Sequence, residues 1–211
     1  MNYPEVDRLV NRYRDLTACR NDIERAYELL VGTFRAGGMV LAAGNGASGF
    51  TAEQFVTGLL RDVERPRGIP ADLQQKLQSD HGSAGSELAS RLHGALPAVA
   101  LTAPAGLLSG VAADTGAEMI FAQQVYAYGR SGDCLFVLDS AGNTANLQAA
   151  LRVAGSLGLS RIVLSGRETD QLAPHADCVI RVPRVNTTFI QELHLPICNT
   201  LNVMLEQEFF G

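Results

Sequence analysis

Five short apolar runs constrain this chain more than any other feature. They lie at residues 39–43, 98–102, 134–138, 162–165 and 178–182, and each of the first four is followed by a small-residue loop and then a helix-like stretch. Runs this short and apolar on both faces read as strands covered on both sides, which is how a parallel sheet sits between two helical layers. The predicted fold class is α/β, a three-layer flavodoxin-like sandwich with a five-stranded parallel sheet. Strand order is not contained in the sequence.

The 211 residues suit one domain, and 46% hydrophobic against 18% charged residues allows a large core. A net charge of -5 and a pI near 5.3 argue against a direct nucleic-acid surface, which needs clustered Lys and Arg. They leave room for a small anion, because a few backbone N–H groups hold phosphate without net positive charge. No basic start followed by an apolar run marks a signal peptide, and no apolar stretch reaches membrane-spanning length. The four cysteines form no CxxC pair, and Cys134 and Cys178 sit inside strand-like runs, where thiols behave as small hydrophobes. A reduced, cytoplasmic protein is the expectation.

Apolar residues at three- and four-residue spacings from Glu5 to about Arg35 predict one long leading helix, ended by Gly37-Gly38. Such a helix, apolar on more than one side, suits packing against a neighbouring subunit. Residues 64–96, with Pro66, Pro70 and a polar helix-like piece at 71–78, break the strand–helix rhythm. They read as a helical insertion or lid near the strand ends, or as a solvated spacer.

In open parallel sheets, ligands bind outside the strand carboxyl ends. Two loops there stand out: Gly44-Asn45-Gly46-Ala47-Ser48 and Asp139-Ser140-Ala141-Gly142-Asn143-Thr144. Small residues let backbone wrap an anion, the following helix start supplies N–H groups, and hydroxyls complete the cage. The same residues also serve simply as helix caps. Two such loops on one sheet favour phosphate. Neither loop ends in Gly-Lys-Ser/Thr and neither fits GxGxxG, so ATP and NAD are poor fits.

At these loops the sequence resembles the sugar isomerase (SIS) domain family. It is most similar to the sedoheptulose 7-phosphate (phosphoheptose) isomerases and their non-enzymatic relative, the DnaA initiator-associating protein. Gly44-Asn45-Gly46-Ala47-Ser48 stands for the family's GNGGS and Ser140-Ala141-Gly142-Asn143-Thr144 for TSGNS. Ile180-Arg181-Val182-Pro183 and Ile190-Gln191-Glu192-Leu193-His194 resemble IRVP and IQEIH. The resemblance covers the chain apart from 64–96 and implies a homotetramer with sites at subunit interfaces. It also implies that Ser48, Ser140, Thr144 and the loop amides of Asn45, Gly46, Ala47, Ala141, Gly142 and Asn143 contact a sugar phosphate. Asp114 would meet sugar hydroxyls, and Gln191 lines the same pocket. Asp139 and Ala141 stand where the family has Ser. A carboxylate there repels a phosphate unless it turns away to cap or pair elsewhere.

The resemblance breaks at the catalytic positions. The isomerases carry QHFxxE after the first loop and QExHxxxxH on the last helix; the first His and Glu, with the final Gln and His, surround zinc, and the Glu and last His move protons. Here Gln54 replaces that His, Gly58 the Glu, and Asn199 the last His, while Gln191 is kept. Moving a carbonyl between C1 and C2 requires a group that titrates near neutrality, worth roughly 10²–10⁴ in rate. Carboxamides and glycine do not titrate there, and zinc prefers imidazole, thiolate or carboxylate. No zinc or other cofactor is expected. Glu53, Glu118 and His194 are the remaining catalytic candidates. Glu53 points about 100° away from Gln54 on a helix, Glu118 suits a helix start, and His194 suits a structural role.

Three readings follow. The first is a phosphosugar-binding family member without the usual isomerase chemistry, acting as sensor, regulator or assembly partner, with any DNA link made through a protein. The second is an aldose–ketose isomerase acting on sedoheptulose 7-phosphate through displaced groups. The third is a structural tetramer with a vestigial pocket.

Overall fold

The computed structural model describes residues 3–142, 145–168 and 171–211. Strands β1 (Val40–Gly44), β2 (Ala98–Ala100), β3 (Cys134–Asp139), β4 (Ser160–Ser165) and β5 (Cys178–Arg181) form one sheet. All neighbours pair parallel, in the order β2-β1-β3-β4-β5. Each apolar run is a strand, and the flavodoxin-like order is present.

Alternate strand residues feed two cores, as the pleat requires. Val40, Phe136, Leu138, Ile162 and Ile180 face the first, while Leu41, Leu135, Val137 and Val163 face the second. The first is covered by α1 (Pro4–Arg12), α2 (Arg20–Arg35), α3 (Ala47–Leu60) and α8 (Thr187–Phe210). The second is covered by α6 (Ile120–Tyr128) and α7 (Ala145–Leu157). Phe55 of α3 stacks on Phe136 with centroids 4.5 Å apart, both fully buried. Full burial of one such side chain is worth about 1.5–3 kcal/mol. Cys134 and Cys178 are buried in their strands as expected, and all four thiols are free.

The single long leading helix is corrected by the structure. A 3₁₀ turn at Arg14–Cys19 separates α1 from α2, and Tyr13 leaves helical geometry at φ -119°, ψ 82°. Asp15, Thr17 and Cys19 have weaker helix propensity but Leu16 and Ala18 are strong helix formers, so local propensity alone does not set the break. The turn also lets Leu16 and Cys19 reach full burial while both helices keep their apolar sides on one core.

Residues 61–97 join the end of α3 to the start of β2. A helix returning to a parallel strand comes back to the amino edge of the sheet. The anchors confirm this: the Leu96 N–H donates to the Leu59 carbonyl (2.8 Å), and the Val40 N–H donates to the Pro97 carbonyl (2.9 Å). Helix α4 (Ala71–Arg91) is two arms bent at Gly82 (φ 60°), with Gly85 of the second arm lying against the Leu77 carbonyl of the first. Apart from Gly85 it is largely solvent-exposed. The helical insertion is there, but it roots at the edge opposite the strand carboxyl ends.

A buried clamp holds that root. Glu206 of α8 and Arg67 are 1% and 3% exposed, and Arg67 Nε donates to Glu206 Oε1 at 2.7 Å. Glu206 also accepts from the Val63, Glu64 and Arg65 amides. Arg67 caps two terminal carbonyls of α3, Leu59 (3.2 Å) and Gly58 (2.9 Å), and lies 5.0 Å over the Phe210 ring. Unpaired carbonyls at a helix end need such partners.

Candidate functional site

Between β1 and β3 the strand order reverses direction. Helix α3 leaves β1 toward the first core and α7 leaves β3 toward the second, so a crevice opens at their carboxyl ends. The two small-residue loops flank it. Gly46 takes φ 55°, ψ -125°, a conformation that favours glycine, and Gly44 is tight enough that a Cβ would stand 2.7 Å from the Ser48 backbone. These glycines bring α3 close onto the end of β1 and leave Gly46 and Ala47 exposed at its start.

The predicted hydroxyls meet. Ser48 Oγ and Ser140 Oγ are 3.0 Å apart, and Gln191 Nε2 of α8 donates to Ser140 Oγ at 2.9 Å. Two hydroxyl protons serve one bond between the serines, so one O–H remains to donate to a ligand oxygen. Across the crevice mouth, Asn45 and Asn146 exchange two amide hydrogen bonds, at 3.0 and 2.9 Å. Asn146 was not singled out in the sequence, because an Asn in a first helical turn reads as a cap. Asp139 turns onto its own loop: Oδ1 accepts from the Ala141 N–H (3.3 Å) and Gly142 N–H (3.2 Å). Burial pushes its pKa up, against the pull of those amides. Asn143 and Thr144 lie outside the described residues.

Among the described residues, the other candidates make no hydrogen bond to this cluster. Glu53 accepts from Thr102 Oγ1 at 2.7 Å, so it faces the end of β2. Asp114 ends α5 (Ala105–Asp114) and Glu118 lies in a 3₁₀ turn; both are exposed and stand outside the serine–glutamine cluster. His194 is 1% exposed, neither ring nitrogen has a hydrogen-bond partner among the described residues, and burial pushes its pKa down to about 4. It is a neutral core group.

Of the positions where the resemblance expects zinc ligands and proton carriers, Gln54 and Asn199 are brought together. Gln54 Nε2 donates to Asn199 Oδ1 at 3.3 Å. At Gly58 the space for a side chain is taken: a Cβ there would stand 2.2 Å from Asn202 Nδ2. Asn202 is held in place by donating to the Phe55 carbonyl at 3.2 Å. Two carboxamides paired with each other, a third committed to Ser140 and a glycine make a poor zinc donor set. Among the described residues, no group of three or more His, Cys, Asp or Glu is placed to hold a metal ion.

A cavity of about 290 Å³ opens beside Asn199, lined also by Arg8, Arg12, Glu64 and Pro196. A larger one, about 650 Å³, lies between α1, α2 and the end of α8. There Tyr3 donates to Glu28 and Tyr27 to Glu208, so its polar groups already satisfy one another. The strand-end crevice is the better site on topology and chemistry.

The SIS domain family matches residues 89–206, more than half of the chain. A phosphoheptose isomerase of Chromohalobacter salexigens is 31% identical over 192 residues, covering 90% of this chain and 84% of that protein. The chain belongs to the SIS domain family. A phosphoheptose isomerase of Sodalis glossinidius is 34% identical over 190 residues, 88% of this chain and 82% of that one. Among solved SIS structures, a phosphoheptose isomerase from Francisella tularensis superposes with a TM-score of 0.76 at 29% identity, covering 93% of this chain and 91% of that chain. No helix among the described residues is long and apolar enough to cross a membrane.

Proposed function

We propose that this chain is a phosphosugar-binding SIS protein that does not carry out the zinc-, Glu- and His-dependent isomerisation of the phosphoheptose isomerases. One observation carries the reading. The proton-transfer positions hold a paired Gln54 and Asn199 and a Gly58 whose side-chain space is filled by Asn202, while Ser48, Ser140 and Gln191 are hydrogen-bonded together where a ligand would be gripped. A phosphorylated sugar such as sedoheptulose 7-phosphate is the ligand class, because the relatives are phosphoheptose isomerases and the crevice offers hydroxyl and amide donors.

The chain works as a homo-oligomer, a tetramer by family resemblance, in the cytoplasm, with a protein partner as a further option. Exposed apolar surface supports assembly. Helix α5 buries none of its residues, and Phe50 and Tyr126 are 72% and 67% exposed.

Sedoheptulose 7-phosphate is expected to raise the melting temperature, since binding to the folded state stabilises it by mass action. Replacing Ser48 and Ser140 together by alanine is expected to weaken the ligand's affinity several-fold. No shift for the native protein refutes phosphosugar binding. An equal shift in the double variant places the phosphate elsewhere.

A further inference from the structure

We propose that Asp139 is a built-in competitor for the ligand's phosphate, its carboxylate holding the β3-loop amides that an anionic headgroup needs. The inference rests on reading this crevice as a phosphosugar site. The two amides in question, of Ala141 and Gly142, already donate to Asp139 Oδ1 at 3.3 and 3.2 Å. The residue is 4% exposed, and its other oxygen, Oδ2, is buried without a hydrogen-bond partner among the described residues.

A buried carboxylate oxygen with no donor is costly to keep. The loop therefore carries an internal anion that is only half satisfied, held on one side by two backbone N–H groups that favour negative charge. A phosphate on the same amides would lie within a few ångströms of that carboxylate. Like charges at such range, even at the effective dielectric of a protein surface, reduce affinity by about tenfold or more. A dianion takes the β3 loop only by displacing Asp139. Its hold otherwise comes from the β1 loop and the serine hydroxyls.

Two substitutions separate charge from loop architecture. Asp139→Asn keeps an acceptor oxygen for both amides and removes the charge. Asp139→Ser vacates the amides. Sulfate, which stays dianionic across the working pH range, and sedoheptulose 7-phosphate are each titrated by calorimetry into the native protein and both variants, with ligand-free melting as the control for folding. Both variants are expected to bind each anion at least about tenfold more tightly than the native protein; if the serine form does not fold, the asparagine form decides. Equal or weaker binding by the asparagine variant overturns the inference and leaves phosphosugar binding standing. Tighter sulfate binding without any sugar phosphate binding supports Asp139 as competitor and sinks the phosphosugar reading. If none of the three proteins binds either anion, both fall.

Discussion

Replacing Glu206 with alanine is expected to lower the free energy of unfolding by about 3–5 kcal/mol and the thermal midpoint by about 10 °C. The substitution leaves the Arg67 guanidinium uncompensated in a site where both partners are almost wholly buried. It also strips acceptors from the amides of Val63, Glu64 and Arg65, so the root of the insertion loses its anchor to α8. Burial alone would push the Glu206 carboxyl up. The Val63 and Glu64 amides and the Arg67 guanidinium outweigh that and hold its pKa below the ordinary 4.5. A carboxylate depressed in the folded state contributes stability that is present above its unfolded pKa and is lost as pH falls through the folded value. Acid unfolding below about pH 4.5 is therefore steeper in the native protein than in Glu206→Gln. Urea denaturation followed by circular dichroism measures both effects, and a loss under about 1 kcal/mol for the alanine variant would show that the clamp is not holding the fold.

The second large effect is a pH dependence set by His194. Its imidazole is held neutral by burial, with a folded pKa of about 4 against an ordinary 6.5, the Ser165 backbone opposing the shift without overcoming it. Between those values the unfolded chain binds a proton that the folded one refuses, so stability rises with pH through the window and falls on acidification. The loss on going from neutral pH to pH 4 is about 3 kcal/mol. His194→Leu removes the titrating imidazole and is expected to flatten this dependence between pH 6.5 and 4. Parallel slopes in the two proteins would show that His194 does not titrate this way.

These two groups also mark what the sequence conceals. The strands were legible because each run is short, apolar on both faces and bounded by small-residue loops that alternate with helix-like stretches. The two loops were legible because two runs of small and hydroxylated residues fall at strand ends of one sheet, and Ser48, Ser140 and Gln191 do converge. The break at Tyr13 was not legible, since apolar spacing runs on through the 3₁₀ turn and the choice is made by packing. Nothing local announces that Arg67 and Glu206, 139 residues apart, form one buried pair. Asn202 is similar: it looks like one more polar residue on a helix, and only the fold puts its amide where a side chain on Gly58 would go. The root of the insertion was accessible in principle, because a helix-to-strand connection returns to the amino edge whatever its length.

The most direct test of a binding site without proton-transfer groups is isotope exchange. Purified protein is incubated with sedoheptulose 7-phosphate in deuterated water, with and without added zinc, and deuterium at C1 and C2 is followed by NMR alongside any new aldose. The arrangement of Gln54, Gly58, Gln191 and Asn199 predicts bound sugar with no label above the protein-free control in either condition. Protein-dependent deuterium at C1 of the ketose or at C2 of an aldose product, with or without metal, would contradict it and show that another group reaches the carbon.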